Sequence, residues 1–319
     1  MKIFIAGGAG TLGSCIAQAL AANALADEIV LYDVNRGLAA NHAMDLLESV
    51  CLTSTTDVRV GAIADMRGSD IVIPVVSVGG NDYIKTMEQT VPVLLELVTQ
   101  VESLTPDAVV ITASNPVDVL NSLFFQRTGL PSSRWLGVSY NDTIRFRRAL
   151  GLVLKAPLSR ITAFTIGEHG AAKVPVFSRV EIDGKPFVLD SEHKEAILKE
   201  MDQWWDSYVN HTTRQRTAGW TTAFSVAEMI RRIRGLEDSP ITCSCVLNGQ
   251  YGKTGVSVGV PVRLNKHGVA EIIELALDMD EKAAFEASVT KIYKQTQEGF
   301  SALWGAADSA HRKVKSEKS

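Results

Sequence analysis

The sequence predicts an α/β protein in which a doubly wound parallel sheet is followed by a second, α+β domain. Three observations predict it. Apolar strand-like runs alternate with helix-like runs through residues 1–140. Those strands are apolar almost throughout, as strands covered by helices on both faces must be. Beyond Asn141 the order changes to short strands separated by long helical stretches.

The strand-like runs of the first part are Lys2–Ala6, Glu28–Tyr32, Val58–Val60, Asp70–Val75, Ala108–Thr112 and Trp135–Val138. Helix-like runs fall between them at Thr11–Asn23, Arg36–Val50, Ile84–Leu104 and Val117–Thr128. This order implies parallel pairing with crossover helices. The second part opens on a helix at Asn141–Leu150. It continues with strands at Ile161–Ile166, Val176–Ile182 and Phe187–Leu189, and then a long helix from Glu192 that is interrupted near Gly219. Strands at Ile241–Leu247 and Val256–Val262 and a last helix from about Glu281 complete it, with HRKVKSEKS as a polar tail. The expected domains are residues 1–140 and 141–319.

Composition narrows the function classes. A chain of 319 residues has length for two ordinary domains, and 46% apolar with 21% charged residues is the usage of a folded globular protein. A net charge of −4 without a basic stripe argues against a nucleic-acid partner. The opening MKIFIAGGAG breaks at glycine too soon for a signal peptide. No uncharged stretch approaches the roughly 18 residues that span a bilayer. A cytoplasmic protein with no membrane partner is expected. Cys243 and Cys245, spaced C-x-C in a strand-like run, read as buried free thiols, and no metal site is expected.

Lys2–Ala6 runs into Gly7-Gly8-Ala9-Gly10-Thr11-Leu12-Gly13 and a helix follows, so Gly8, Gly10 and Gly13 fit G-x-G-x-x-G in the context it requires. Glycines let the backbone approach a pyrophosphate, and the helix N-terminus supplies N–H donors and a positive dipole end. Asp33 closes the strand EIVLYD twenty residues after Gly13. A carboxylate there accepts from both adenosine ribose hydroxyls and repels a 2′-phosphate, which favours NAD; nearby Arg36 keeps NADP open. The first domain is therefore expected to be a Rossmann-type NAD-binding unit, with Gly8, Gly10, Thr11, Leu12, Gly13 and Asp33 at the cofactor.

Three polar clusters stand out beyond this motif. Asn115 follows an apolar strand in Ile111-Thr112-Ala113-Ser114-Asn115-Pro116-Val117-Asp118, where doubly wound sheets bind ligands; it also suits a turn before proline. Asp142 and Arg145 share a helical face at a helix start, as a surface ion pair or as ligand-binding groups. His169 lies between glycines in Gly167-Glu168-His169-Gly170, directly after a strand, where an ordinary structural histidine is the alternative.

Taken together these segments resemble the lactate/malate dehydrogenase family over Lys2 to Gly268. The glycine loop is similar to its nucleotide loop, and Ser114-Asn115-Pro116-Val117-Asp118 to its N-P-[VL]-D segment. Gly137-Val138-Ser139-Tyr140-Asn141-Asp142-Thr143-Ile144-Arg145 resembles the G-V-T-x-L-D-x-x-R segment of the malate branch. Gly167-Glu168-His169-Gly170, with Val174-Pro175, resembles its histidine loop. The resemblance implies hydride transfer between NAD and a small 2-hydroxy/2-oxo carboxylic acid, malate or malate-like, in a homodimer or homotetramer. It implies His169 as base and acid, Asp142 as the group that holds its tautomer, and Arg145 as the bidentate grip on the substrate carboxylate. Asn115 would orient the reacting oxygen and contact the nicotinamide ribose.

One segment departs from the family. Its active-site loop carries an arginine that polarises the substrate carbonyl. The corresponding Val76-Ser77-Val78-Gly79-Gly80-Asn81-Asp82-Tyr83-Ile84-Lys85-Thr86-Met87 is shorter and contains none. The resemblance sets Tyr83 at the arginine's place, with Lys85 the nearby cation. Either Tyr83, Lys85 or Asn81 serves an altered substrate, or the enzyme is slow or inactive on malate and lactate. Asn141, where the family has leucine, and Ala171, where an acidic residue is common, also suggest an altered pocket. Thr217–Ala223 reads as a pocket wall or a helix kink, and Trp204-Trp205 as core or subunit interface in preference to a ligand platform. Two other function classes remain at this point. One is a catalytically silent NAD-binding sensor; the other, a sugar-nucleotide epimerase or short-chain reductase, would need a Tyr-x-x-x-Lys pair that the chain lacks.

Overall fold

The computed structural model describes residues 1–77, 83–210 and 219–304. Its first part alternates as expected: β1 (Lys2–Ala6), α1 (Thr11–Ala22), β2 (Glu28–Tyr32), α2 (Arg36–Val50), β3 (Asp57–Val60), β4 (Ile71–Pro74), α3 (Tyr83–Leu104), β5 (Val109–Thr112), α4 (Val117–Arg127) and β6 (Trp135–Val138). The six strands pair in parallel in the order β3-β2-β1-β4-β5-β6. Every residue of β4, β5 and β6 is buried, which explains why these runs lack polar alternation. The order reverses between β1 and β4, and the loops beyond the carboxyl ends of those strands flank the crevice where doubly wound sheets bind ligands.

The second part comprises α5 (Tyr140–Leu154), β7 (Ile161–Thr162), β8 (Thr165–Gly167), β9 (Lys173–Pro175), β10 (Glu181–Ile182), β11 (Lys185–Pro186), α6 (Ser191–Asn210), α7 (Trp220–Ile233), β12 (Ile241–Asn248), β13 (Thr254–Asn265), β14 (Gly268–Ile272) and α8 (Met279–Trp304). It is not a detached layer. β12 pairs antiparallel with β6, and β13, β8 and β9 extend the same sheet, with β14 on β13. One apolar core runs along this sheet, and a smaller one lies around Phe146, Leu150, Ile161, Ile197 and Met201 between α5 and α6.

Three expectations need correction here. Ile161–Ile166 is not one strand, because its two ends serve different sheets: β7 pairs with β10, whereas β8 pairs with β13 and β9. Val176–Ile182 is interrupted by a single 3-10 turn at Phe177–Arg179, with strands only on either side. Phe187–Leu189 forms no strand. The hairpin partner of β10 is Lys185–Pro186, set by a two-residue turn in which Asp183 and Gly184 both have positive φ. β14, after a tight turn, is a strand beyond those expected. The polar tail lies outside the described residues. Among the described residues no helix is long and apolar enough to cross a membrane.

Candidate active site

The nucleotide loop is held by main-chain bonds. Gly7 and Gly8 N–H both donate to the Tyr32 carbonyl at the end of β2 (2.8 and 3.1 Å), and Gly10 N–H donates to Gly7 O (3.0 Å). α1 then begins without a side-chain cap, so its positive end and its first N–H groups open onto the loop. A Cβ at Gly13 would lie 2.2 Å from Gly7 O and 3.0 Å from Gly8 Cα, so only glycine lets the helix start this close to the turn. Asp33 accepts from Ala9 N–H (2.9 Å) and Asn35 N–H (2.9 Å). Each carboxylate oxygen keeps a second lone pair for a ribose hydroxyl. Loop, uncapped helix end and acidic residue fit the pyrophosphate and adenosine ribose of NAD. Leu12 packs its side chain toward Gly219, just before α7.

The second cluster centres on one carboxylate. Asp142 lies in the first turn of α5, where the helix dipole favours negative charge. Its Oδ2 is 2.6 Å from His169 Nδ1, and its Oδ1 accepts from Arg145 Nη1 at 3.0 Å. Neighbouring bonds fix that turn: Thr165 N–H donates to Thr143 Oγ1 (3.0 Å), Thr165 Oγ1 to Asp142 O (3.3 Å), and Thr143 Oγ1 meets Thr242 Oγ1 (3.0 Å). β8 ends at Gly167, whose φ of +86° turns the chain into the histidine loop. Helix α8 clamps that loop. Ser288 Oγ accepts from Glu168 N–H (2.7 Å), and the Glu168 carboxylate takes both Ala172 N–H and Lys291 Nζ (2.8 and 2.7 Å).

Side-chain exposure rises from 7% at Asp142 to 15% at His169 and 23% at Arg145, so the imidazole and guanidinium reach solvent more than the carboxylate that joins them. Burial pulls the His169 imidazole down, but the Asp142 charge and hydrogen bond, with the Asp118 charge, outweigh it and leave its pKa above the ordinary value. Burial pushes Asp142 up, yet His169, Arg145 and Lys173 hold it below the usual carboxylate range.

Asn115 is exposed just past β5 and joined to Pro116 by a cis peptide bond. Its segment reaches the histidine loop through Asp118, whose Oδ2 accepts from His169 N–H at 2.7 Å. Thus Asn115, Asp142, Arg145 and His169 gather at one end of the sheet. Tyr83 and Lys85 start α3, but their side chains, like residues 78–82, lie outside the described part. Asn141 turns its amide to α7, donating to Thr222 Oγ1 (3.0 Å) and accepting from Ser225 Oγ (2.6 Å), which accounts for a polar residue there. Thr217 and Ala218 are not described. Of the two readings of Trp204, the contact favours the platform: its ring lies 4.4 Å from the Arg145 guanidinium carbon. Sequence reasoning set Trp204 aside in favour of core or interface, and it left Asp118 without a role although its motif was in view. Cys243 and Cys245 are buried free thiols, with burial pushing Cys243 up to about 12.

Residues 1–137 match the model of the NAD-binding domain of lactate/malate dehydrogenase, and residues 141–303 match that of the α/β C-terminal domain. The chain belongs to the lactate/malate dehydrogenase family. It is 32% identical over 295 residues to L-lactate dehydrogenase 2 of Lactococcus lactis subsp. lactis, covering 89% of this chain and 94% of that one. It is also 30% identical over 303 residues to malate dehydrogenase of Halobacterium salinarum, covering 93% and 99%. Among solved structures, the minor L-lactate dehydrogenase of Enterococcus mundtii superposes with a TM-score of 0.86 at 28% identity over 93% of this chain and 98% of that one. Malate dehydrogenase of Cryptosporidium parvum gives 0.86 at 27% identity over 94% and 99%. The protein is an NAD-dependent oxidoreductase of this family, with a Rossmann NAD-binding domain and a C-terminal α/β domain. Relatives of both names match it equally well, so similarity does not separate lactate from malate.

Proposed function

We propose that this protein is an NAD-dependent dehydrogenase of malate or a malate-like 2-hydroxy acid, with residues 1–140 as the cofactor unit and 141–319 as the substrate unit. The observation that carries the reading is the Asp142 carboxylate shared by His169 Nδ1 and Arg145 Nη1. When bound, NAD would supply the hydride acceptor, and NADH the hydride donor, for the carbon that bears the hydroxyl. Gly8, Gly10, Thr11, Leu12 and Gly13 would hold the pyrophosphate and Asp33 the adenosine ribose.

The chain's own residues do the rest. Asp142 accepts the Nδ1–H of His169, which leaves Nε2 to take the hydroxyl proton in oxidation. In the reverse direction protonated Nε2 gives that proton to the carbonyl oxygen, and the raised pKa favours this protonated form. Arg145 spends one donor on Asp142 and keeps others for the substrate carboxylate, while the Trp204 ring backs its guanidinium. Its Nε is buried without a hydrogen-bond partner among the described residues. Asn115 would orient the reacting oxygen and touch the nicotinamide ribose. The Gly137–Arg145 segment, which follows the malate branch, supports malate over lactate. Tyr83 and Lys85 are assigned to the substrate in place of the missing loop arginine. The silent-sensor alternative receives no support from the comparisons.

We place the protein in the cytoplasm, which its unpaired cysteines suit. We further assign a homodimer or homotetramer. A groove between α1, α2 and α7 lined by Cys15, His42, Trp220 and Phe224 supports self-association, since Trp220 is 75% exposed.

The deciding experiment assays the purified protein with NAD or NADP on malate, lactate and longer 2-hydroxy acids. The expected result is NAD-linked turnover strongest on a malate-like acid. NAD binding measured by titration together with no reduction on any acid overturns the proposal.

A further inference from the structure

We propose that Asp118 is a positioning residue of this site: from the first turn of α4 its buried carboxylate holds the backbone of the histidine loop and sets a second negative charge behind the imidazole, in addition to Asp142. The inference rests on the proposed role of His169 as the group that carries the proton.

Asp118 is 3% exposed, and both of its oxygens are engaged. Oδ2 accepts from His169 N–H at 2.7 Å, and Oδ1 accepts from Ser244 Oγ at 2.5 Å, lengths typical of hydrogen bonds to a charged acceptor. Ser244 belongs to a closed polar network. Its Oγ meets Ser257 Oγ (2.9 Å), and Asn121 Nδ2 donates to Ser257 Oγ (3.0 Å) and Ser244 O (3.3 Å). Thr112 Oγ1 donates to Asn121 Oδ1 (3.0 Å). Every member of this network is buried. It therefore lies behind the site and binds no substrate. It locks α4, which follows Asn115, to β12, β13 and the loop that carries His169.

Neutral groups meet the needs of packing elsewhere in this network, as Asn121 and the serines do. A buried carboxylate costs desolvation that no lysine or arginine ion pair among the described residues offsets. The group that faces it and changes charge during the reaction is His169. Burial pushes Asp118 up to about 6, while the Ser244 hydroxyl and the His169 N–H and charge hold it down; ionised, it favours the imidazolium in return. The other charged groups that face this cluster are Asp142 and Arg145 on α5 toward the imidazole, Lys173 on β9 toward Asp142, and, toward Asp118, Glu168 in the loop, which is paired with Lys291 of α8.

The test uses the full chain labelled with ¹³C/¹⁵N-histidine, with His169→Asn to assign the resonance. The His169 imidazole is titrated by NMR in the wild type and in Asp118→Asn. In the variant it is expected to titrate roughly one pH unit lower, and the pH limb of kcat/KM for 2-oxo acid reduction moves with it, about tenfold down above that limb. NADH affinity stays unchanged. A lowered Tm with the His169 titration unmoved means a structural role only and overturns the proposal. If Asp118→Asn does not fold, Ser244→Ala serves instead. Without its hydroxyl donor Asp118 ionises less readily, so His169 again titrates lower, and an unmoved titration again overturns the proposal. If the wild type reduces no 2-oxo acid, the functional reading fails, while the NMR titration still decides the part played by Asp118.

Discussion

The nucleotide loop and the carboxylate cluster follow the carboxyl ends of parallel strands, β1 and β6, but are built by different means. The loop occupies residues 7–13 and is held by main-chain donors: Gly7 and Gly8 to Tyr32 O, Gly10 to Gly7 O, Ala9 to Asp33. The cluster draws on Asn115, Asp118, Asp142, Arg145, His169 and Trp204 from separate elements, and two side-chain carboxylates hold it. A main-chain site is sensitive to added bulk where a Cβ intrudes. A side-chain site is sensitive to lost charge. The two should therefore fail in different ways, one in cofactor affinity and the other in turnover.

The largest effect that would sharpen this contrast is in His169→Asn. Removing a general acid–base lowers kcat by roughly 10²–10⁴-fold, with NADH affinity by fluorescence titration unaltered. The wild type should also show opposite pH trends in the two directions. Reduction needs the imidazolium, so its kcat/KM falls as pH rises through the raised pKa of His169. Oxidation needs the neutral ring, so its kcat/KM climbs over the same range. The variant should lose both limbs. A fall in NADH affinity as large as the fall in kcat would break the comparison.

Gly13→Ala should act on the other side. Its new Cβ meets Gly7 O at 2.2 Å, and neither backbone atom can yield without moving helix or strand. Overpacking of this kind costs about 1–3 kcal/mol, so NAD affinity by calorimetric titration should fall roughly tenfold or more. Turnover at saturating NAD should change little. A normal NAD affinity would show that the loop relaxes and that its glycine is not required. The smallest effect is expected for Trp204→Leu. Loss of a cation–π contact worth about 0.5–1 kcal/mol raises KM for the acid roughly two- to fivefold, with kcat nearly intact. A fall in kcat at constant KM would remove Trp204 from the support of Arg145.

Much of this was legible because the signals are local. The strand, the glycines and the uncapped helix of the loop are contiguous, and Asp33 follows within the same βαβ unit, so spacing alone places them. Asp142 and Arg145 share a face by helical period. His169 and Asn115 were visible only as candidates, since a lone histidine after a strand and an asparagine before proline each have ordinary structural uses. The family resemblance, not spacing, joined them. Sequence alone ranked Trp204 as core or interface because an aromatic pair in an amphipathic helix looks like either. Its contact with Arg145 depends on how α6 packs on α5.

The sequence by itself determined the parallel sheet, the nucleotide loop and the pairing of Asp142 with Arg145, because each is written within one or two neighbouring elements. Only the tertiary structure decided that β12 continues β6, that Ile161–Ile166 is divided between two sheets, and that Asp118 reaches both Ser244 and the backbone of His169. Those contacts join residues 126 and 51 positions apart. No local period encodes them; they exist because an antiparallel extension of the sheet carries its side chains behind the crevice that the parallel half creates.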